Sequence, residues 1–259
     1  MNTTTLNVCS STVSALKSSP TYQLFSHYYD ELTYDIPYTL WLDIINHYGV
    51  DKKSVLDIGC GTGRLTHQLQ FDSVTAMDHS NLMLDVARKN VSPNIDYIQG
   101  DMRDFKLDHS FDMVTATVDV LNYCSTPEEV LQVLKGVYNH LNPGGIFIFD
   151  IHSVFKMNND FDDITYSDET EHITYIWHAL QGEAPLSVIH DMTFFVEDNA
   201  DSGLYRKIEE THHQRTYTHM EMLQMISQSG FIIDAAFSDF NRDNPVTEVC
   251  ERVFYVLKK

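Results

Sequence analysis

The sequence predicts an α/β fold: a doubly wound, mostly parallel sheet of seven strands, with an N-terminal helical lid and a small antiparallel β insertion. Three observations point to it. Between residues 54 and 151, short apolar runs alternate with stretches of helical periodicity. That is the rhythm of βαβ units, which pack helices on both faces of a parallel sheet. The first apolar run ends in a glycine-rich turn, Gly59-Cys60-Gly61-Thr62-Gly63, and open α/β sheets bind ligands at such strand ends. From His152 to Arg215 the rhythm changes to extended segments, and afterwards helix and strand resume.

Two short helices come first, Tyr22 to Leu32 and Pro37 to Tyr48. Pro37 suits a first helical position, where no backbone N–H is needed. Trp41, Ile44, Ile45 and Tyr48 then recur at helical spacing. Aromatics crowd this stretch (Tyr22, Phe25, Tyr28, Tyr29, Tyr34, Tyr38, Trp41), as in a lid packed on a core. Ser54 to Ile58 is the first strand, and Arg64 to Leu69 begins a helix. Ser73 to Met77 is the second strand, ending at Asp78, and Ser80 caps a helix running through Lys89. Ile95 to Gln99 and Phe111 to Val118 are the third and fourth strands. Thr126-Pro127-Glu128-Glu129 opens a helix, with Thr126 as cap, Pro127 at its first position and Glu129 closing a capping box. Asn142-Pro143-Gly144-Gly145 stops that helix. Ile146 to Ile151 follows as a fifth strand, apolar except for Asp150.

The insertion reads as His172 to Trp177, Ser187 to Val196 and Leu204 to Thr211, with turn-forming residues 198–203 between the last two. Thr218 and Glu221 then form a second capping box on a helix that stops near Gly230. Phe231 to Phe237 and Arg252 to Leu257 close the sheet. The expected organisation is a flexible leader over residues 1–20 and one domain over residues 21–259. Within it lie the lid (21–50), a ligand-binding core (51–151), the insertion (152–216) and the completion of the core (217–259).

A chain of 259 residues can bury a full core unaided. Its formal net charge is −20, from 37 acidic and 17 basic side chains. Such a surface repels phosphate backbones and anionic membranes, so nucleic acid is disfavoured as a substrate. The cysteines, Cys9, Cys60, Cys124 and Cys250, are far apart and form no C-x-x-C pair. That spacing implies neither a metal site nor a disulfide framework, and is read as a reducing, cytoplasmic setting. No apolar run approaches the roughly 20 residues of a membrane span. The Ser/Thr-rich start lacks the basic and apolar regions of a secretion signal.

The chemistry concentrates in Val55-Leu56-Asp57-Ile58-Gly59-Cys60-Gly61-Thr62-Gly63-Arg64. Glycine lets the backbone approach a ligand closely and take positive φ, and a helix start offers unpaired N–H groups. Dinucleotide sites use G-x-G-x-x-G; here Arg64 stands where the third glycine of that pattern would be.

The stretch resembles motif I of the class I S-adenosylmethionine-dependent methyltransferases, close to V-L-D-I-G-C-G-T-G. The resemblance implies the Rossmann-like methyltransferase fold, S-adenosyl-L-methionine as cofactor and S-adenosyl-L-homocysteine as product. It implies a cofactor site made of Asp57, Gly59, Cys60, Gly61 and Gly63. It also assigns Asp78 to the ribose hydroxyls, His79 and Met83 to the adenine faces, Asp101 to the adenine amino group and Met102 to the ring. Val118, with Thr117 and Asp119, falls beside the methionine part. Further motifs resemble the YqeM-like group of small bacterial methyltransferases: Tyr28-Tyr29-Asp30-Glu31-Leu32, Asp35-Ile36-Pro37-Tyr38, Asp119-Val120-Leu121-Asn122-Tyr123, Asp150-Ile151-His152-Ser153, residues 210–217 and Glu251-Arg252-Val253-Phe254.

In this reading Tyr29 lies near the methionine end or the transferring methyl, both binding cofactor and serving catalysis. His152, directly after the fifth strand, is a candidate base or substrate ligand. Tyr38, Trp41, His212 and Arg215 are candidate substrate ligands. His212-His213 makes a poor metal pair, because neighbours on an extended segment point to opposite faces, and no metal is expected. The expected reaction is methyl transfer to a small molecule. The alternatives are a methyltransferase acting on protein or RNA, and a non-catalytic module that binds S-adenosylmethionine. The oligomeric state is left as monomer or homodimer.

Overall fold

The computed structural model describes residues 22–90, 94–197 and 203–259. The expected leader and most of the turn at 198–203 therefore lie outside the described residues. Two helices lead, α1 (Tyr22–Leu32) and α2 (Tyr38–Tyr48). The core alternates β1 (Ser54–Ile58), β2 (Ser73–Asp78), α3 (Asn81–Ala87), β3 (Ile95–Gln99), β4 (Phe111–Ala116), α4 (Pro127–His140) and β5 (Leu141–His152). A short helix, α5 (Val154–Asn159), leads into a second sheet of β6 (Ile164–Glu169), β7 (Ile173–Gln181), β8 (Ser187–Glu197) and β9 (Tyr205–Arg215). The chain returns through α6 (His219–Ser229), β10 (Ile232–Ser238) and β11 (Arg252–Lys258).

The main sheet runs in the order β3-β2-β1-β4-β5-β11-β10. β1 to β5 run parallel to one another, and β11 pairs antiparallel with both β5 and β10. The order reverses between β1 and β4, which makes that crevice the switch point where such sheets bind ligands. Successive residues face opposite sides of the sheet, and two cores follow. Leu56, Val114, Phe147 and Tyr255 pack with Val133 and Leu134 of α4 and Met222 and Ile226 of α6. Val55, Met113, Ile148 and Phe254 pack with Trp41 and Ile45 of α2. The second sheet is antiparallel throughout, in the order β6-β7-β8-β9.

Several expectations are corrected. Residues 64–69 form only a 3-10 turn, Thr66–Gln68. The Thr66 hydroxyl is tied to Asp57 and Leu69 is already extended, so no α-helix develops. β4 stops at Ala116 because Val118 and Asp119 adopt positive φ. The helix after β3 and β4 does end at His140, but β5 begins at once with Leu141. Thr126 caps α4 as expected, whereas Glu129 accepts from the Ser125 N–H, one residue earlier than a closed box. The box of Thr218 and Glu221 on α6 is complete. The insertion has four strands rather than three; the acidic, mostly exposed β6 gives a weak apolar signal.

Candidate active site

The glycine turn is built over the end of β2. The N–H groups of Gly59 and Cys60 both donate to the Met77 carbonyl, at 2.7 and 3.1 Å. Gly59, Gly61 and Gly63 have φ of 72°, 55° and 82°. A Cβ at Gly59 would lie 2.4 Å from Val120 Cγ2, and one at Gly63 2.8 Å from His67 Cε1. A Cβ at Gly61 would meet nothing within 4 Å, so this peptide borders open space that a ligand can enter. The Gly61 N–H donates to Asp78 Oδ2 at 2.8 Å, and the Ser80 N–H donates to Oδ1 at 2.8 Å. Each oxygen of Asp78 keeps a lone pair, which suits a pair of vicinal hydroxyls. Burial raises the Asp78 pKa, and the two N–H bonds pull it back.

Asp57 stands differently from its expected ligand role. It is 3% exposed, and its oxygens accept from the hydroxyls of Thr66 (2.6 Å) and Thr115 (2.9 Å). Burial pushes its carboxyl up to about 6 against those two bonds. The structure thus places Asp57 beneath the turn, tying β1 to β4 and to the 3-10 turn. Burial likewise keeps the half-buried Cys60 protonated.

Around this turn, His79 is exposed and Met83, like Tyr28 and Tyr29, packs against the cluster of Ile173, Phe194, Val196 and Ile208. Asp101 is held by Arg103, whose Nε and backbone N–H reach Oδ1 at 2.8 and 2.9 Å, and its carboxyl drops to about 2. An adenine amino group would share this carboxylate with Arg103. Met102 packs on the main core, and Val118 is half-buried at the end of β4.

The lid is fastened to the turn by charge and hydroxyl. The Thr62 hydroxyl donates to Asp30 Oδ1 at 2.5 Å. Arg64 donates to the carbonyls of Asp30 (3.0 Å) and Thr33 (2.8 Å), and its guanidinium lies 5.0 Å from the Tyr38 ring centre. The latch brings Tyr29 into the electrostatic field of Asp119, Tyr38 and Tyr123, and burial foremost holds its phenol protonated.

The carboxyl ends of β4 and β5 carry a polar cluster. The fully buried Asp150 accepts from the N–H groups of Val118 (2.9 Å) and Asp119 (3.1 Å), from Trp41 Nε1 (2.9 Å) and from Arg252. Four donors on one carboxylate pin the left-handed pair Val118 and Asp119. Arg252 also reaches Asp119 Oδ1 at 3.2 Å. Trp41 is thereby a buried anchor, 3% exposed, against Phe240. A cavity of about 580 Å³ opens beside it, lined by Ile36, Trp41, Val118, Asp119 and Arg252.

His152 lies on the far side of Asp119, with Nε2 3.5 Å from Oδ2. The carboxylate can only accept, so Nε2 carries the proton and Nδ1 presents its lone pair. Nδ1 is buried and has no hydrogen-bond partner among the described residues. Burial lowers the His152 pKa in spite of Asp119, and so favours the neutral ring. Burial alone would raise Asp119, but His152, Arg252 and Gln214 hold it well below the usual carboxylate range. A relay from the insertion orients it. Trp177 Nε1 donates to His190 Nδ1 (3.0 Å), His190 Nε2 then donates to Gln214 Oε1 (3.1 Å), and Gln214 Nε2 donates to Asp119 Oδ2 (2.9 Å).

His212 Nδ1 bonds the Tyr123 hydroxyl at 2.9 Å, fixing β9 to the turn Val120–Tyr123. Arg215 donates to the Ser125 carbonyl at 2.8 Å and stacks over Tyr217. His213 is exposed where His212 is half-buried. Among the described residues no cluster of three metal-ligating side chains occurs. Sequence reasoning missed Arg252, Gln214 and His190 as parts of this site. Asp150 gave a signal, as the polar residue of an apolar strand.

Residues 55–145 match the family model described as a methyltransferase domain. The chain is 38% identical over 243 residues to the "Putative methyltransferase YqeM" of Bacillus subtilis (strain 168), covering 92% of this chain and 97% of that one. Among solved structures it resembles an S-adenosylmethionine-dependent methyltransferase from Clostridium acetobutylicum ATCC 824 with a TM-score of 0.80 at 27% identity, covering 92% and 98% of the two chains. Over 110 residues it is 34% identical to the dTDP-3-amino-3,4,6-trideoxy-alpha-D-glucopyranose N,N-dimethyltransferase of Streptomyces venezuelae, covering 42% of this chain and 46% of that one.

Proposed function

Because the chain belongs to the class I S-adenosylmethionine-dependent methyltransferases, we propose that it methylates a small molecule held between the insertion sheet and the ends of β4 and β5. S-adenosylmethionine supplies, when bound, a methyl group already activated on a sulfonium. The observation that carries the reading is the open space over Gly61 beside the two free lone pairs of Asp78. Gly61 and its neighbours offer close backbone approach, and Asp78 offers acceptors for two hydroxyls. Tyr29 contributes a neutral phenol over the site. Tyr38, His212 and Arg215 are the remaining candidates for the acceptor's side.

His152 takes the proton that an acceptor gives up on methylation. Its Nδ1 lone pair is the free end of a dyad whose other end, Nε2–H, is fixed by Asp119. Exclusion of water by the lid and insertion, with alignment of the acceptor, is worth about 7–11 kcal/mol in such reactions. The net charge of −20 supports a small acceptor over a nucleic acid. The amino-sugar relative supports it as well. The unpaired Cys60, Cys124 and Cys250 fit a cytoplasmic protein.

Calorimetric titration with S-adenosylhomocysteine tests the cofactor site. Binding of the order of −8 kcal/mol, a micromolar Kd, is expected for the wild type and is lost in Asp78→Ala that retains its circular dichroism. A folded wild type that binds neither S-adenosylmethionine nor S-adenosylhomocysteine overturns the reading. His152→Ala should leave this affinity intact and lower turnover by about 10²–10⁴-fold.

A further inference from the structure

One face of the insertion sheet looks inward. On β9 the residues Ile208, Glu210, His212 and Gln214 alternate onto it, opposite Phe194, Met192, His190 and Val188 of β8. The upper part of this face packs on α1 and α3: Phe194, Ile208 and Met192 cluster with Tyr28, Tyr29 and Leu32 of α1 and Met83 of α3. The lower part reaches the Asp119 carboxylate through Gln214 and the glycine turn through His212, Tyr123 and Val120. Glu210 sits between these two parts. It is 3% exposed, and its carboxylate makes no hydrogen bond or ion pair among the described residues.

A buried carboxylate with no donor opposite it destabilises a fold unless something else supplies the donor. Among the described residues no side chain does. Arg252 is held by Asp119 and Asp150 and Lys207 by Glu209, while Arg215 gives Nη1 to the Ser125 carbonyl and stacks on Tyr217, its buried Nε making no hydrogen bond to Glu210 among the described residues. An anionic occupant would face Glu210 and Asp119 together, and an apolar one would leave Glu210 buried without a partner. We propose that Glu210 is the recognition group of an acceptor subsite that takes an amine-bearing small molecule, its ammonium or N–H seated between β9, α1 and the turn Val120–Tyr123. Burial lifts the Glu210 carboxyl to about 7, and a cation beside it would reverse that shift. This inference rests on the methyl-transfer reading for the placement of the subsite beside the cofactor.

The test uses butylammonium as probe and 1-butanol as its neutral counterpart, each titrated into the full chain with and without S-adenosylhomocysteine. The readout is the carbon-13 methyl signal of Met192, the residue opposite Glu210 in register. The expected result is a saturable shift with butylammonium, at least tenfold weaker in Glu210→Gln, and no saturable shift with butanol. Glu210→Gln should also melt at a higher temperature than the wild type. Equal butylammonium affinity in both proteins, no response in the wild type, or an equal response to butanol overturns the amine assignment. A variant that melts lower shows Glu210 to be structural and overturns it too. Failure to bind S-adenosylhomocysteine, with the Glu210-dependent response intact, overturns the methyl-transfer reading and leaves the subsite standing.

Discussion

Gly59 and Gly61 share a left-handed backbone, yet their surroundings differ. A Cβ at Gly59 runs into the Val120 side chain, whereas one at Gly61 points into open space. Gly61→Ala should therefore lose about 1 kcal/mol of stability, the left-handed penalty of an L-residue. Its larger effect should be on S-adenosylhomocysteine affinity, down tenfold or more by calorimetry. Gly59→Ala adds overpacking of about 1–3 kcal/mol and should show chiefly in urea denaturation. Asp150 is the other residue on which local geometry depends. Asp150→Ala leaves Arg252 with Asp119 alone and strands the Trp41 N–H and two backbone N–H groups at once. A loss of about 3–5 kcal/mol is expected, read as a fall in the urea midpoint. The sequence displayed the glycines and Asp78 openly, because a turn and a strand end are local features. It marked Asp150 only as an anomaly, since its partner Arg252 lies 102 residues away and arrives through strand pairing.

Among elements, the insertion sheet is where pH acts. Burial holds His190 neutral, with its pKa lowered from 6.5 to about 4. The folded form therefore binds fewer protons than the unfolded chain between those values. The stability this contributes is present above pH 6.5 and is lost as pH falls toward 4, on the order of 3 kcal/mol. Glu210 works in the opposite sense. Its raised pKa contributes stability below 4.5 that is lost as pH rises through about 7. In the wild type the two slopes oppose each other. Glu210→Gln removes one of them, so its melting temperature should climb more steeply between pH 4.5 and 6.5 than that of the wild type. Parallel slopes in differential scanning calorimetry would contradict the raised pKa of Glu210. Asp57 titrates alike in the two proteins and drops out of the comparison. The insertion was legible in outline from its extended segments. β6 was not, because an edge strand with exposed Ser, Asp and Glu carries little apolar alternation.

Across the whole molecule the acidic excess sets the response to salt. With 37 acidic against 17 basic side chains, unscreened repulsion works against the compact state. Raising sodium chloride from about 0.01 M to about 0.3 M shortens the screening length several-fold. The melting temperature should rise by a few degrees, and a fall would show that specific ion pairs outweigh the net charge. The seven-stranded sheet was readable because each of its strands is a short apolar run between turn signals. The order of those strands was not, since pairing joins segments far apart in the chain. That order has a consequence for the making of the protein. β11 is wedged between β5 and β10, yet it leaves the ribosome after both of them. Until it arrives, β10 has no strand to pair with, and the edge of β5 stays open to any extended segment. Synthesis thus presents β5 as an open, association-prone edge until β11 pairs with it.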